Sequence, residues 1–113
     1  MNKILVTTSW DDGHVLDVRL AKLLDAYGLR GTFYISKDLP IAEQLSQQQI
    51  RDIARTHEIG AHTMSHPDMR ALSLSEARDE MLRNREWLSE VTKKPIDMFC
   101  YPFGLYTPET AHL

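Results

Sequence analysis

The sequence predicts an α/β fold built on parallel strands. Short β-branched and apolar runs occur without polar alternation, as in strands covered on both faces. Segments with helical spacing separate them. Polar residues able to do chemistry follow the runs directly, where parallel α/β folds gather their sites. At 113 residues the chain is one domain, and a hydrophobic share of 42% allows a packed core.

Ile4, Leu5 and Val6 place a first strand over residues 3–8, broken at Gly13. Val15, Leu16, Leu20, Leu23, Leu24 and Tyr27 recur at helical spacing, so residues 15–27 form a helix, with Gly28 as its stop. The β-branched and aromatic run 32–35 is the second strand. Residues 37–41 contain Pro40 and form a connection. Ser46 caps a helix over 47–56, with Ile50, Ile53 and Ala54 on one side. Residues 58–61 make a short third strand, and 62–70 a loop. The longest helix covers 74–91, capped by Ser73 or Ser75. Leu74, Ala77, Met81, Leu88 and Val91 give it a partial apolar stripe, and Lys93-Lys94-Pro95 ends it. A fourth strand covers 96–101, Pro102-Phe103-Gly104 is a turn, and 105–113 carry no firm signal. Four strands alternating with three helices make βαβ units.

Composition narrows the function. The net charge of -3 comes from 13 basic and 16 acidic residues mixed along the chain, with no basic block to track nucleic acid. No apolar run approaches the ~20 residues of a membrane span. The apolar run after Lys3 stops well short of a signal peptide, so the chain reads as cytoplasmic. Cys100 stands alone, which rules out an internal disulfide.

Two constellations can do chemistry. Asp11-Asp12-Gly13 puts two carboxylates at the end of a strand, and His62-Thr63-Met64-Ser65-His66 pairs two imidazoles four residues apart. On a helix, Glu58 would share a face with both histidines, as in zinc proteases, but Pro67 and the strand-like Ile59-Gly60-Ala61 oppose that helix. From a loop both rings can still aim at one ion. Two imidazoles and one carboxylate form a facial set that suits zinc, and cobalt, nickel or iron also match the donors. An ion would favour the ionised form of a ligating aspartate, leaving the other aspartate to take a proton from activated water. Adjacent strand residues point to opposite sides, so an irregular turn at Gly13 must bring both into one site. Which aspartate takes which role is open at this level.

The motifs resemble the polysaccharide deacetylase family, also called the NodB homology domain. Ser9-Trp10-Asp11-Asp12-Gly13 is similar to its Thr-Phe-Asp-Asp-Gly motif, His62-Thr63-Met64-Ser65-His66 to its His-Ser/Thr-x-x-His motif, and Cys100-Tyr101-Pro102-Phe103-Gly104 to a relaxed third motif. Gly31-Thr32-Phe33-Tyr34 resembles its second strand. The resemblance implies a partial, apparently truncated (β/α) barrel, with Asp11 as general base and Asp12, His62 and His66 as ligands of a divalent metal, zinc in the first instance. It places substrate and oxyanion contacts at Tyr101, Pro102, Phe103 and Gly104. The implied reaction is hydrolysis of an amide, most simply N-deacetylation of an acetylated sugar or polysaccharide. Cyclic imides or ureides are alternative substrates. A metal-binding pseudoenzyme without turnover is the competing reading.

Two departures bear on these expectations. Cys100 stands where the family often has an arginine, and reads as a small buried apolar residue. The family barrel has about seven strands, and the motifs supplying the general acid have no match here. His112 is not in a matching context. Open edges at the first and fourth strands would expose Ile4-Leu5-Val6 and Met98-Phe99, which pairing or swapping of two copies would cover. Trp10 and Tyr106 are candidate sugar platforms, Trp87 a packing residue, and His14 and His57 local contacts or surface residues. His14 can also support the metal aspartate.

Overall fold

The computed structural model describes residues 2–113. Its centre is β2 (Gly31–Ile35), where Gly31, Phe33 and Ile35 are buried and Thr32 and Tyr34 half-buried. β1 (Thr8–Trp10) and β3 (Glu58–Ala61) flank it, both parallel to it. The register pairs Trp10 with Phe33 and Ile35 with Ala61, so the carboxyl ends of the three strands open onto one edge. Three helices complete the βαβ pattern: α1 (Asp17–Ala26), α2 (Gln47–Ile53) and α3 (Leu74–Thr92). Ala21 and Leu24 of α1, Ile50 and Ile53 of α2, and Leu88 and Val91 of α3 close over Phe33, Ile35 and Ile59 to form the core.

Local chemistry explains the helix ends. Ser46 and Ser73 each form a capping box, with Gln49 and Glu76 respectively, so of the two serines offered for the long helix Ser73 is the cap. Gly28 (φ 65°) ends α1. Its N–H reaches Asp25 O at 3.0 Å and the Leu29 N–H reaches Leu24 O at 2.9 Å, the Schellman pattern. α3 stops at Lys93, which is left-handed.

Three expectations need correction. Ile4, Leu5 and Val6 are not in the first strand and are 80–87% exposed. β2 begins at Gly31, the partner of Thr8, so the residues before Thr8 run past its end without a ladder partner. The predicted fourth strand contracts to one parallel bridge between Ala61 and Phe99. There the Ala61 N–H donates to Met98 O (2.8 Å) and the Cys100 N–H to Ala61 O (3.0 Å). Thr63, the next residue able to bridge on that side, is left-handed (φ 70°) and ends the ladder. Of the predicted helical stripe, Leu16 and Tyr27 flank α1 and Leu23 lies within it; all three are exposed, because the buried face centres on Ala21 and Leu24.

Candidate metal centre

Directly after β1 the chain reverses through two left-handed residues, Asp12 (φ 83°) and Gly13 (φ 88°). This is the irregular turn that a shared site demands. A Cβ on Gly13 would lie 2.8 Å from Ile35 Cγ2, so glycine meets both the backbone angle and the close approach. The turn is fixed by a hydrogen bond from the Leu45 N–H to Gly13 O (3.0 Å).

Asp12 Oδ1 lies 3.3 Å from His62 Nε2 and 3.2 Å from His66 Nε2. The three donor atoms fall within 4.8 Å of one another. His62 is 1% exposed, and its Nδ1 lies 2.8 Å from Cys100 O. A carbonyl can only accept, so Nδ1 carries a hydrogen, which leaves Nε2 as the ring atom that can hold an ion beside the Asp12 carboxylate. Two imidazole nitrogens and one carboxylate oxygen that converge this closely make a set of ligand atoms for one cation. The carbonyl that fixes the tautomer is the kind of outer partner metal-bound histidines have. The donor set therefore fits a divalent ion.

The loop carrying the histidines is strained and tightly tied. Thr63 (φ 70°) and His66 (φ 57°) are both left-handed, which costs about 1–3 kcal/mol each. Thr63 is β-branched, the less usual case. Its Oγ1 accepts the His66 N–H at 3.1 Å. Asn84, fully buried on α3, accepts the His62 N–H at 2.8 Å and donates to Ile35 O at 3.1 Å. Glu80, one turn earlier, accepts the Met64 and Ser65 N–H groups at 2.8 and 2.9 Å and the Ser65 hydroxyl at 2.7 Å. The Ser36 hydroxyl donates to His62 O at 2.6 Å. Sequence reasoning missed Glu80 and Asn84. The available signal was Asn84 itself, a polar residue inside the apolar stripe of Ala77, Leu88 and Val91.

Asp11 is exposed, and its Oδ2 lies 3.8 Å from Cys100 Sγ. Cys100 thus touches the site twice, through its carbonyl and its thiol. It is half-buried rather than buried, which corrects the reading of a small buried apolar residue. Burial first, then the charge of Asp11, pushes its thiol pKa up, so the group stays protonated and donates to Asp11.

The residues of the third motif diverge. Phe103 (φ 60°) lays its ring edge-on to His66, with centroids 4.7 Å apart, and is 67% exposed. Tyr101 instead donates its hydroxyl to Thr110 O at 3.1 Å and packs against Tyr106. Pro102 is buried and has no N–H, and the Gly104 N–H is committed to Tyr101 O at 2.9 Å. Within this turn the Tyr101 and Phe103 N–H groups have no hydrogen-bond partner among the described residues and remain for a ligand.

Two other histidines are placed apart from the trio. His57 is buried, not at the surface. Its Nδ1 accepts the Gly31 N–H at 3.1 Å, so Nε2 is the protonated nitrogen, 2.9 Å from Asp25 Oδ1 and 3.2 Å from Ala21 O. His14 Nδ1 accepts the Leu16 N–H at 3.1 Å and its Nε2 faces Glu43 at 3.4 Å. Asp17 is 9% exposed, and its Oδ2 has no hydrogen-bond partner among the described residues. Burial raises its pKa to about 6, opposed by His14 and reinforced by Asp12 and Asp11.

A family model described as polysaccharide deacetylase matches residues 1–113. The chain belongs to the polysaccharide deacetylase family. Among solved structures, it is similar to the deacetylase PplD of Streptococcus pyogenes in complex with acetate, with TM-score 0.91 and 22% identity over 98% of this chain and 51% of that one. The peptidoglycan deacetylase PdaC of Bacillus subtilis aligns with TM-score 0.82 and 20% identity over 98% and 55%. A CE4 family pseudoenzyme of Bacillus anthracis aligns with TM-score 0.75 and 20% identity over 98% and 40%. The chain spans about half the length of the first two structures. No curated protein matches it. The fold is a partial barrel of the polysaccharide deacetylase type, three parallel strands and three helices. The motifs that resemble the family converge at one end of its sheet.

Proposed function

We propose that this chain takes part in metal-dependent hydrolysis of a carbon–nitrogen bond, removing the acetyl group from an N-acetylated sugar. The observation that carries the reading is the meeting of Asp12 Oδ1 with both histidine Nε2 atoms, while the other nitrogen of His62 is held by Cys100 O. Asp12, His62 and His66 would hold the ion, and zinc best suits two imidazoles and a carboxylate. When bound, the ion polarises the acyl oxygen and acidifies water.

Asp11 takes the proton from the attacking water. The Cys100 thiol holds its Oδ2 and leaves Oδ1 for the water. The Phe103 N–H donates to the oxygen on which negative charge develops. Phe103 and Trp10, both exposed, offer apolar surface to a sugar ring. The products are acetate and a free amine.

Acetate release from an N-acetylglucosamine oligomer by zinc-loaded protein tests this. Asp11→Asn should retain the metal and lose at least about a hundredfold in rate. Zinc retention without acetate release would instead support a metal-binding relative without turnover, and loss of zinc from the wild-type protein would remove the metal reading.

A further inference from the structure

We propose that Glu80 and Asn84 are positioning residues that shape the histidine loop for its ion before any ion arrives. The inference rests on the Asp12–His62–His66 reading and names what holds that geometry.

Within itself the loop is tied through the Thr63 hydroxyl, and its remaining ties come from outside. Thr63 and His66 are both left-handed, and between them Met64 and Ser65 must present successive N–H groups in one direction. The Glu80 carboxylate receives both, at 2.8 and 2.9 Å, and takes the Ser65 hydroxyl on its other oxygen at 2.7 Å. Without it, two N–H groups lose an ionised acceptor, the stronger class of hydrogen bond, and the left-handed pair is free to relax.

Asn84 acts one turn along the same face of α3. Its side chain bridges the ends of β3 and β2, accepting the His62 N–H and donating to Ile35 O. His62 is thereby set before its ring reaches Cys100 O. Neither side chain is among the three that meet as a metal-ligand set, so both act through the loop. Glu80 is only partly buried, which makes it the cleaner site to alter.

Zinc affinity of the whole chain is measured by competition with a chromophoric chelator, alongside the cobalt absorption spectrum and the unfolding temperature of the metal-free protein. Glu80→Ala should bind zinc about ten- to a hundredfold more weakly and shift the cobalt bands. Glu80→Gln should fall between it and the wild type, because its amide oxygen still accepts an N–H. A purely charge-based effect would make the two variants equal. A lowered unfolding temperature with wild-type zinc affinity in both variants would make Glu80 merely structural and overturn the proposal. Should the wild type bind no zinc, or His62→Ala bind it as well as the wild type, the metal reading itself falls and takes this inference with it.

Discussion

The loop at residues 62–66 and the turn at residues 101–104 meet at the His66–Phe103 contact but are held by different means. The first is tied largely from elsewhere: by the side chains of Asn84 and Glu80 from α3 and Ser36 from the end of β2, and by the Lys37 and Asp38 N–H groups on Met64 O. The second closes through its own backbone, with the Gly104 N–H on Tyr101 O and the Leu105 N–H on Pro102 O. His62 is buried, whereas Phe103 is two-thirds exposed. On the proposed reading, the half that would hold the metal is set by the core, and the half that would meet substrate is left adaptable. A hydrogen bond between buried groups is costly to break, because each orphaned partner has lost its water.

Replacing Asn84 with Ala should break the tied side hardest. It orphans the His62 N–H and Ile35 O, so urea unfolding should show a loss of about 2–4 kcal/mol. A loss under about 1 kcal/mol would mean that the loop supports itself. Asp17 sharpens the contrast, being a buried polar group near the same aspartates that lacks a partner for Oδ2. Its folded pKa of about 6 lies above the ordinary carboxylate value, so the folded state holds the extra proton. Its contribution favours folding below pH ~4, is lost as pH rises to ~6, and stays lost above, a change of at most about 3 kcal/mol. In metal-free protein, Asp17→Asn should flatten that part of the stability–pH curve; an unchanged slope would show that other groups cause it. On the loosely held side, Phe103→Ala should change stability by no more than about 0.5 kcal/mol and leave zinc affinity near the wild-type value. A larger drop in zinc affinity would mean the ring steers His66.

The readable parts of the molecule were those whose signal is local. Asp-Asp-Gly, the histidine spacing, the Ser46 and Ser73 caps and the run at β2 each carry their physics within a few residues. The misplaced parts depend on partners distant in sequence. Ile4-Leu5-Val6 has the composition of a strand, but β2 does not extend far enough to pair with it. Residues 96–101 read as a strand, but the left-handed Thr63 ends the ladder on one side of Phe99 and Arg85 takes the Ile96 carbonyl on the other. Glu80 lies 15 and 16 residues from the N–H groups it receives, beyond any short motif. Cys100 reads in the sequence as a small buried apolar residue but is half-buried, and Asp11, 89 residues away, faces its sulfur.

The left-handed backbone at Asp12 has a consequence for which sequences can build this site. If Asp12 holds the proposed metal, the position admits aspartate or glutamate. A φ of 83° favours glycine, asparagine and aspartate, and penalises the rest. The overlap of the two sets is aspartate alone. Asparagine would keep the fold and lose the charge, and glutamate would keep the charge and strain the turn. A single residue thus answers to two unrelated demands, and neutral drift has almost no room there.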